Sequence, residues 1–393
     1  MKILFISNLF PDFDNPTRGQ DNANLLHYLA NDHEIKVLAT RPTRNPLQLS
    51  SHLESRHKDS RFKPVYCNNF YIPKIGSFIN HQIYYHRIRL VFLDIVTQFN
   101  PDVVLCSWSY PDSSAVVTLS NEVNLPVVSI VQGSDAHIYM YMPIRALTIQ
   151  ESLSHADYLI PRSYKLGSIL SDKGISPSII HPIYNGVDKS MFHTSYKSSV
   201  QVELGLDTKK RYLLYVGNFY IVKNPQLLVK SFNECVSSSQ VQDLHLLLVG
   251  EGNLKEELDQ LVLEMGISKN ITFLGRKTSS DVAKYMQASD LLCIPSFNEG
   301  LPNVLLEALS CGLPVVSTNV GGISEVLFNS RCGTLVNSFD TKAYSEAILS
   351  RLSQKADTDF IAGFSEQFSW PQTIDRYNEI LSLALSRSRN ECI

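Results

Sequence analysis

PSFNEGLPNVLLEALSCGLPVVS, residues 295–317, reads as a loop, a helix and a strand in immediate succession. DLLCI (290–294) ahead of it and PVVS (314–317) at its end have the length and apolar content of buried strands. Between them Pro302 fits the first turn of a helix, Asn303 to Ser310 supply its body, and Gly312 suits its end. Glu299 falls in the loop just before that helix. There its carboxylate and the free N–H groups of Gly300 and Leu301 can converge on one polar ligand, and a helix N-terminus favours phosphate. Glu307 sits among Leu305, Leu306, Ala308 and Leu309, so it either turns to solvent or needs a partner such as a sugar diol or a cation.

The same alternation extends outward through the chain. Apolar runs at 2–7, 35–39, 102–106, 126–131 and 157–160 are followed by a second series at 212–216, 244–249, 271–274, 290–294 and 314–317. Each gap leaves room for a helix, which is the pattern of repeated βαβ units in mainly parallel sheets. A length of 393 residues favours two domains over one. Residues 186–211 lose apolar periodicity and gain Ser, Lys and Gly. The expected organisation is therefore an α/β chain with two doubly wound Rossmann-like domains, 1–190 and 191–370. A last amphipathic helix at 371–393 is expected to pack back toward the first domain. Such sheets bind ligands beyond the carboxyl ends of their strands, so a cleft between the domains and the loops after strands are where function is sought.

Glu299, seven intervening residues and Glu307, set in EGLPNVLLEALSCGLPVV, resemble the E-x7-E signature of GT-B retaining glycosyltransferases of family 4. Other segments resemble stations of that family in the same order. They are RGQ (18–20), QGSDAH (132–137), YNGVD (184–188), VGNFYIVKN (216–224), LLLVGEGNLKEEL (246–258), ITFLGRKTSSDVAKYMQASDLLCIPS (271–296) and NVGGISEVL (319–327).

The resemblance implies a sugar transferred from a nucleotide donor, a UDP-sugar by family frequency, to a glycan hydroxyl. It implies a front-face displacement with no protein nucleophile. Lys223 would hold the donor phosphates, and Gly19 would let its backbone approach them. Glu299 with the backbone of Gly300, Leu301, Pro302 and Asn303 would hold the sugar and diphosphate, and Glu307 the ribose hydroxyls. Arg276 and Lys277 would border the base. Lys223, Glu299 and Asp135 are the candidate catalytic residues. Asp135, with Gln132 and His137, would face the transferred sugar or the acceptor, an ordinary capping role for Asp135 and an idle loop histidine being the plain alternatives. Asn218 stands where many relatives carry Arg, and Gln132 where many carry His. Cations aimed at a leaving diphosphate lower the barrier to its departure, which gives Lys223 and Arg276 the heavier share here.

Composition removes several classes. With 44% apolar and 19% charged residues the chain is an ordinary globular one, and a net charge of -3 favours no nucleic-acid partner. Seven scattered cysteines without a C-x-x-C pair argue against a disulfide framework or zinc site, and the N-terminus is too weak for a signal peptide. No metal site and no cofactor are expected, the nucleotide-sugar being a substrate. Asp12-Phe13-Asp14 reads as a solvated turn, and Gly250-Glu251-Gly252 lacks the third glycine of a dinucleotide loop.

Charge is uneven, however. Residues 36–89 hold ten basic side chains against two acidic ones, with Phe62, Tyr66, Phe70, Tyr71, Phe78, Tyr84 and Tyr85 interleaved. That mixture suits either an anionic membrane surface with a lipid-linked acceptor in surface polysaccharide assembly, or simply a basic surface over core aromatics. The expected location is cytoplasmic, with peripheral contact at the membrane. An epimerase on the same architecture and a catalytically silent sugar-nucleotide binder are the competing functions.

Overall fold

The computed structural model describes residues 1–391 except 13, 16–17, 44–60, 74–75, 77 and 239–242. The chain divides into two compact units, Met1–Gly186 with Trp370–Ile393, and Val187–Ser369. The first contains β1 (Lys2–Ser7), β2 (Glu34–Thr43), β3 (Val65–Phe70), β4 (Val103–Ser107), β5 (Val127–Val131) and β6 (Tyr158–Pro161). The second contains β7 (Arg211–Val216), β8 (Leu244–Val249), β9 (Ile271–Gly275), β10 (Leu291–Ile294), β11 (Val315–Thr318) and β12 (Gly333–Val336).

Among the described residues every strand pairing is parallel, and the two sheets run β3-β2-β1-β4-β5-β6 and β12-β11-β10-β7-β8-β9. The first follows the doubly wound order 3-2-1-4-5-6, and both reverse direction beside a central strand. The central strands are apolar throughout because helices cover both faces of each sheet. Ile3, Leu4, Phe5 and Ile6 of β1 are all fully buried, as are Leu246, Leu247 and Leu248 of β8. The chain thus has two Rossmann-like α/β units, the architecture that the GT-B resemblance implies.

Two edge strands have no counterpart among the apolar runs of the sequence. β3 is VYCNNF and β12 is GTLV, one interrupted by asparagines and the other only four residues long. The polar stretch after residue 190 contains a helix, Lys197–Glu203, whose Gln201 donates its Nε2 hydrogen to the carbonyl of Ala288 at 3.0 Å inside the second unit.

The last helix, Trp370–Glu391, belongs to the first unit. Its Trp370, Ile374, Tyr377, Ile380, Leu381 and Ala384 recur at three- and four-residue steps and pack with Ile3, Phe5, Val103 and Val128. Trp370 stacks on Tyr28 at 5.0 Å, and Arg162 donates to the Tyr377 hydroxyl at 2.7 Å. Among the described residues no helix is long and apolar enough to cross a membrane.

Candidate functional site

A cavity of about 360 Å³ opens at the carboxyl ends of β7, β8 and β10. Its wall includes Gly217 and Asn218 after β7, Gly250 after β8, Arg276 and Lys277 after β9, and Ser296 and Glu299 after β10. Pro302, Asn303 and Val304 complete it. They begin the helix Asn303–Ser310, which no side chain caps, so its N-terminal dipole is left for whatever enters the cavity.

Lys223 and Glu299 meet here. The Lys223 ammonium donates to both carboxylate oxygens of Glu299, at 2.7 and 2.8 Å, and Ser296 Oγ donates to Oε1 at 2.7 Å. Glu299 is 8% exposed, and its charge is tolerated there because these hydrogen bonds hold it. Two loops must stay in register for this pair to form. The short turn Ile221–Lys223 is tied to the Glu299 loop by the Phe297 N–H, which donates to the carbonyl of Val222 at 2.9 Å. Gly321 fixes the loop from the other side. It adopts φ +57°, and a Cβ there would lie 1.9 Å from the Glu299 carbonyl oxygen, so only glycine allows the neighbouring Gly322 N–H to reach the carbonyl of Gly300. Behind the pair, burial with Glu299 nearby raises the Tyr215 phenol far above its ordinary value, so it stays a neutral donor to the Asn218 carbonyl at 3.0 Å.

The first unit holds a second cavity of about 360 Å³, again beyond the carboxyl ends of its central strands. Asn8 and Leu9 follow β1, Thr40 and Thr43 end β2, Asn69 and Tyr71 lie at β3, and Trp108, Tyr110 and Tyr139 close it. Beneath it Asp112 is buried, accepting from the Asn8 backbone N–H at 2.6 Å and from the Tyr84 hydroxyl at 3.0 Å. Burial pushes the Asp112 carboxyl up to about 7, against which its hydrogen bonds pull down.

Residues 22–190 match the family model described as Glycosyltransferase Family 4, and residues 197–362 that of Glycosyl transferases group 1. The chain belongs to these GT-B glycosyltransferases. HepE of Anabaena in complex with UDP superposes with a TM-score of 0.74 at 18% identity, covering 97% of this chain and all (100%) of that one. Sucrose-phosphate synthase of Thermosynechococcus elongatus gives 0.76 at 18% identity, over 98% and 99% of the two chains. A D-inositol 3-phosphate glycosyltransferase of Rhodococcus opacus is 26% identical over 250 residues, 61% of this chain and 56% of that relative. The chain thus spans little more than half the length of such curated relatives.

In this chain, Asn218, Lys223, Arg276, Lys277, Glu299, Pro302 and Asn303 share the wall of one cavity. Gly300 and Leu301 connect Glu299 to Pro302 along the chain. Glu307 is half-buried, one turn beyond Asn303 on the same helix face, and does not line the cavity. Arg276 is largely exposed and lies 3.8 Å from Glu251.

The first unit changes several readings. Asp135 is fully buried, and its carboxylate accepts from the Ser109 N–H and hydroxyl at 3.0 and 2.9 Å, the Gln132 N–H at 3.2 Å and the Gly133 N–H at 2.6 Å. Four donors and no exposure make it an organiser of the β4 and β5 loops in place of a group that touches substrate. Gln132 donates to Asn22 at 2.9 Å and Ser107 at 2.8 Å, within the same polar layer. His137 ends the short helix Ser134–His137 and does not line the cavity.

Gly19, at φ +62°, opens the helix Gln20–Leu29, and a Cβ there would sit 2.2 Å from the carbonyl carbon of Leu9. Close packing on the β1 loop therefore requires the glycine, independent of any phosphate. Asp12 is not a solvated turn residue. It is 8% exposed and pairs with Arg41 at 2.5 Å, while Phe13 lies outside the described residues.

Of the basic segment, Arg44, Arg56, Lys58 and Lys74 lie outside the described residues, as do Glu54 and Asp59. Arg61 donates to the carbonyl of Ala30 at 2.6 Å, Arg87 to that of Asn68 at 2.9 Å, and Arg89 pairs with Glu122 at 3.4 Å. Tyr66 and Tyr84 are core residues and Phe78 is exposed. Sequence reading missed Ser296, which only proximity to Glu299 identifies, and the aromatic cavity. WSYPD (108–112), directly after β4, was the available signal for the latter.

Proposed function

We propose that the protein transfers a sugar from a nucleotide-sugar, UDP-linked, to a glycan hydroxyl with retention of anomeric configuration. The observation that carries this reading is the Lys223–Glu299 pair beside an uncapped helix start in a cavity that also presents Arg276 and Lys277. Three cations against one carboxylate suit a diphosphate, and Glu299 suits the hydroxyls of the attached sugar. In the reaction the bond from the anomeric carbon to the diphosphate oxygen breaks and a bond from the acceptor oxygen forms on the same face. The acceptor's proton passes to the departing phosphate, whose growing charge Lys223 and the helix start stabilise. Solved relatives with UDP bound support the donor class. The acceptor is proposed as a glycan, lipid-linked as the basic segment suggests, with the exposed Lys63 and Phe78 as contact groups among the described residues.

The test is incubation with UDP-sugars, with and without glycan acceptors. Expected is UDP release that depends on acceptor, with the anomeric proton coupling of the product matching that of the donor. An isomerised nucleotide-sugar formed without acceptor assigns the protein as an epimerase, and inverted product overturns retention.

A further inference from the structure

Arg145 is a cation where a fold should avoid one. It is 8% exposed, forms no ion pair among the described residues, and its Nε is buried without a hydrogen-bond partner. It also lies in the first turn of the helix Pro143–Ser154, where the backbone dipole already places positive charge. A buried, uncompensated charge is costly, so such a group beside a cavity points to a ligand that supplies the opposite charge.

Among the described residues, its hydrogen-bond and ring partners belong to the wall of the aromatic cavity. The guanidinium carbon lies 4.5 Å from the ring centre of Tyr139 and 5.4 Å from that of Tyr110, and one Nη donates to the Tyr71 hydroxyl at 3.2 Å. Tyr71 is thereby an acceptor from Arg145, and its own hydroxyl hydrogen, which no described residue accepts, is available to the cavity. Burial pushes the Tyr110 phenol up to about 12, which leaves it neutral. No carboxylate lines the cavity among the described residues, while Trp108 and Tyr139, edge to face at 6.1 Å, offer apolar ring faces of the kind that cover a sugar. Arg162 is buried still more deeply, but its hydroxyl partner Tyr377 lies in the hydrophobic core, so it serves packing there.

We propose that the cavity of the first unit binds a sugar bearing an anionic group, phosphate or carboxylate, with Arg145 as its counter-charge and Tyr71 as the donor that reaches it. The inference rests on the glycosyltransferase reading only in naming that sugar as a portion of the acceptor. Its test needs no turnover.

Matched sets of neutral sugar, sugar 6-phosphate and uronic acid, in the gluco, galacto and manno series, are titrated into the protein. Binding is followed by calorimetry and by the fluorescence of Trp108, the other tryptophan, Trp370, being in the core. Expected is one series in which a charged member binds at least about tenfold more tightly than its neutral counterpart, in line with a charge-assisted bond. Arg145→Met removes that preference, Arg145→Lys retains some of it, and UDP affinity is unchanged in both. Phosphate and uronate arms separate the two sources of charge. Equal binding of charged and neutral members, no binding of any charged member below about 10 mM, weaker than specific recognition requires, or a preference that survives Arg145→Met overturns the proposal. Should Arg145→Met not fold, Tyr71→Phe replaces it, with a loss of at least about threefold expected for the charged sugar alone. An unchanged preference in Tyr71→Phe is then the overturning result. Charged-sugar preference that depends on Arg145 supports the proposal even where no transfer to any acceptor is found, a result that would overturn the glycosyltransferase reading alone.

Discussion

The two units share a doubly wound parallel sheet and each opens a cavity of about 360 Å³ at the same end of it, yet the cavities are chemical opposites. That of the second unit is walled by Lys223, Arg276, Lys277, Glu299 and an uncapped helix start. That of the first is walled by Trp108 and four tyrosines, with its one cation among the described residues hidden behind them. Topology decides where a ligand goes, because strand ends gather loops there. The loops decide what it is: short glycine turns bring backbone and charge to one cavity, and WSYPD brings rings to the other.

The contrast is broken most severely at Lys223. Lys223→Ala is expected to lower turnover at least about a hundredfold, with sugar binding to the first unit unaffected, since a lost transition-state charge costs that much. Steady-state kinetics beside sugar titrations check it, and undiminished turnover would falsify the assignment of the cationic cavity to the donor.

The backbone beneath that cavity gives the next effect. Gly321→Ala places a Cβ 1.9 Å from the Glu299 carbonyl oxygen and should destabilise the second unit by at least about 2 kcal/mol in urea unfolding. Gly205→Ala has a similar φ, +68°, with nothing within 4 Å, so about 1 kcal/mol of backbone strain is the expected cost. Equal losses at the two sites would mean that close approach to Glu299 is not what requires Gly321.

A pH effect is confined to the first unit. The Asp112 carboxyl rises from its ordinary 3.8 to about 7 on folding, so folding takes up a proton between those values. Its stabilisation is complete below about pH 4 and declines as pH climbs toward 7. Melting temperature should fall by several degrees, roughly, across that window, and Asp112→Asn should flatten the slope. A slope that persists in the variant assigns the titration elsewhere.

The sequence made the central strands legible because a parallel strand covered on both faces must be apolar along its length, as KILFIS and LHLLLV are. β3 escaped because an edge strand need bury only some of itself, and its Asn68 and Asn69 broke the run. At the site, Lys223 and Glu299 were legible as motif residues, but their contact across 76 positions was not. Asp135 was misleading for a related reason. An Asp after a glycine in a post-strand loop has the same spelling whether it faces a substrate or ties Ser109 to its own turn, and only burial tells the two apart.

The bidentate pairing of Lys223 with Glu299 bears on what can enter the cavity beside it. A free phosphate can offer something to the ammonium but nothing to the carboxylate it would strand, and a free sugar can offer something to the carboxylate alone. Each by itself competes with the Lys223–Glu299 pairing while compensating only one partner. A molecule that presents both functions at the right separation compensates both at once, so under the proposed function the pair favours a whole sugar nucleotide over either half.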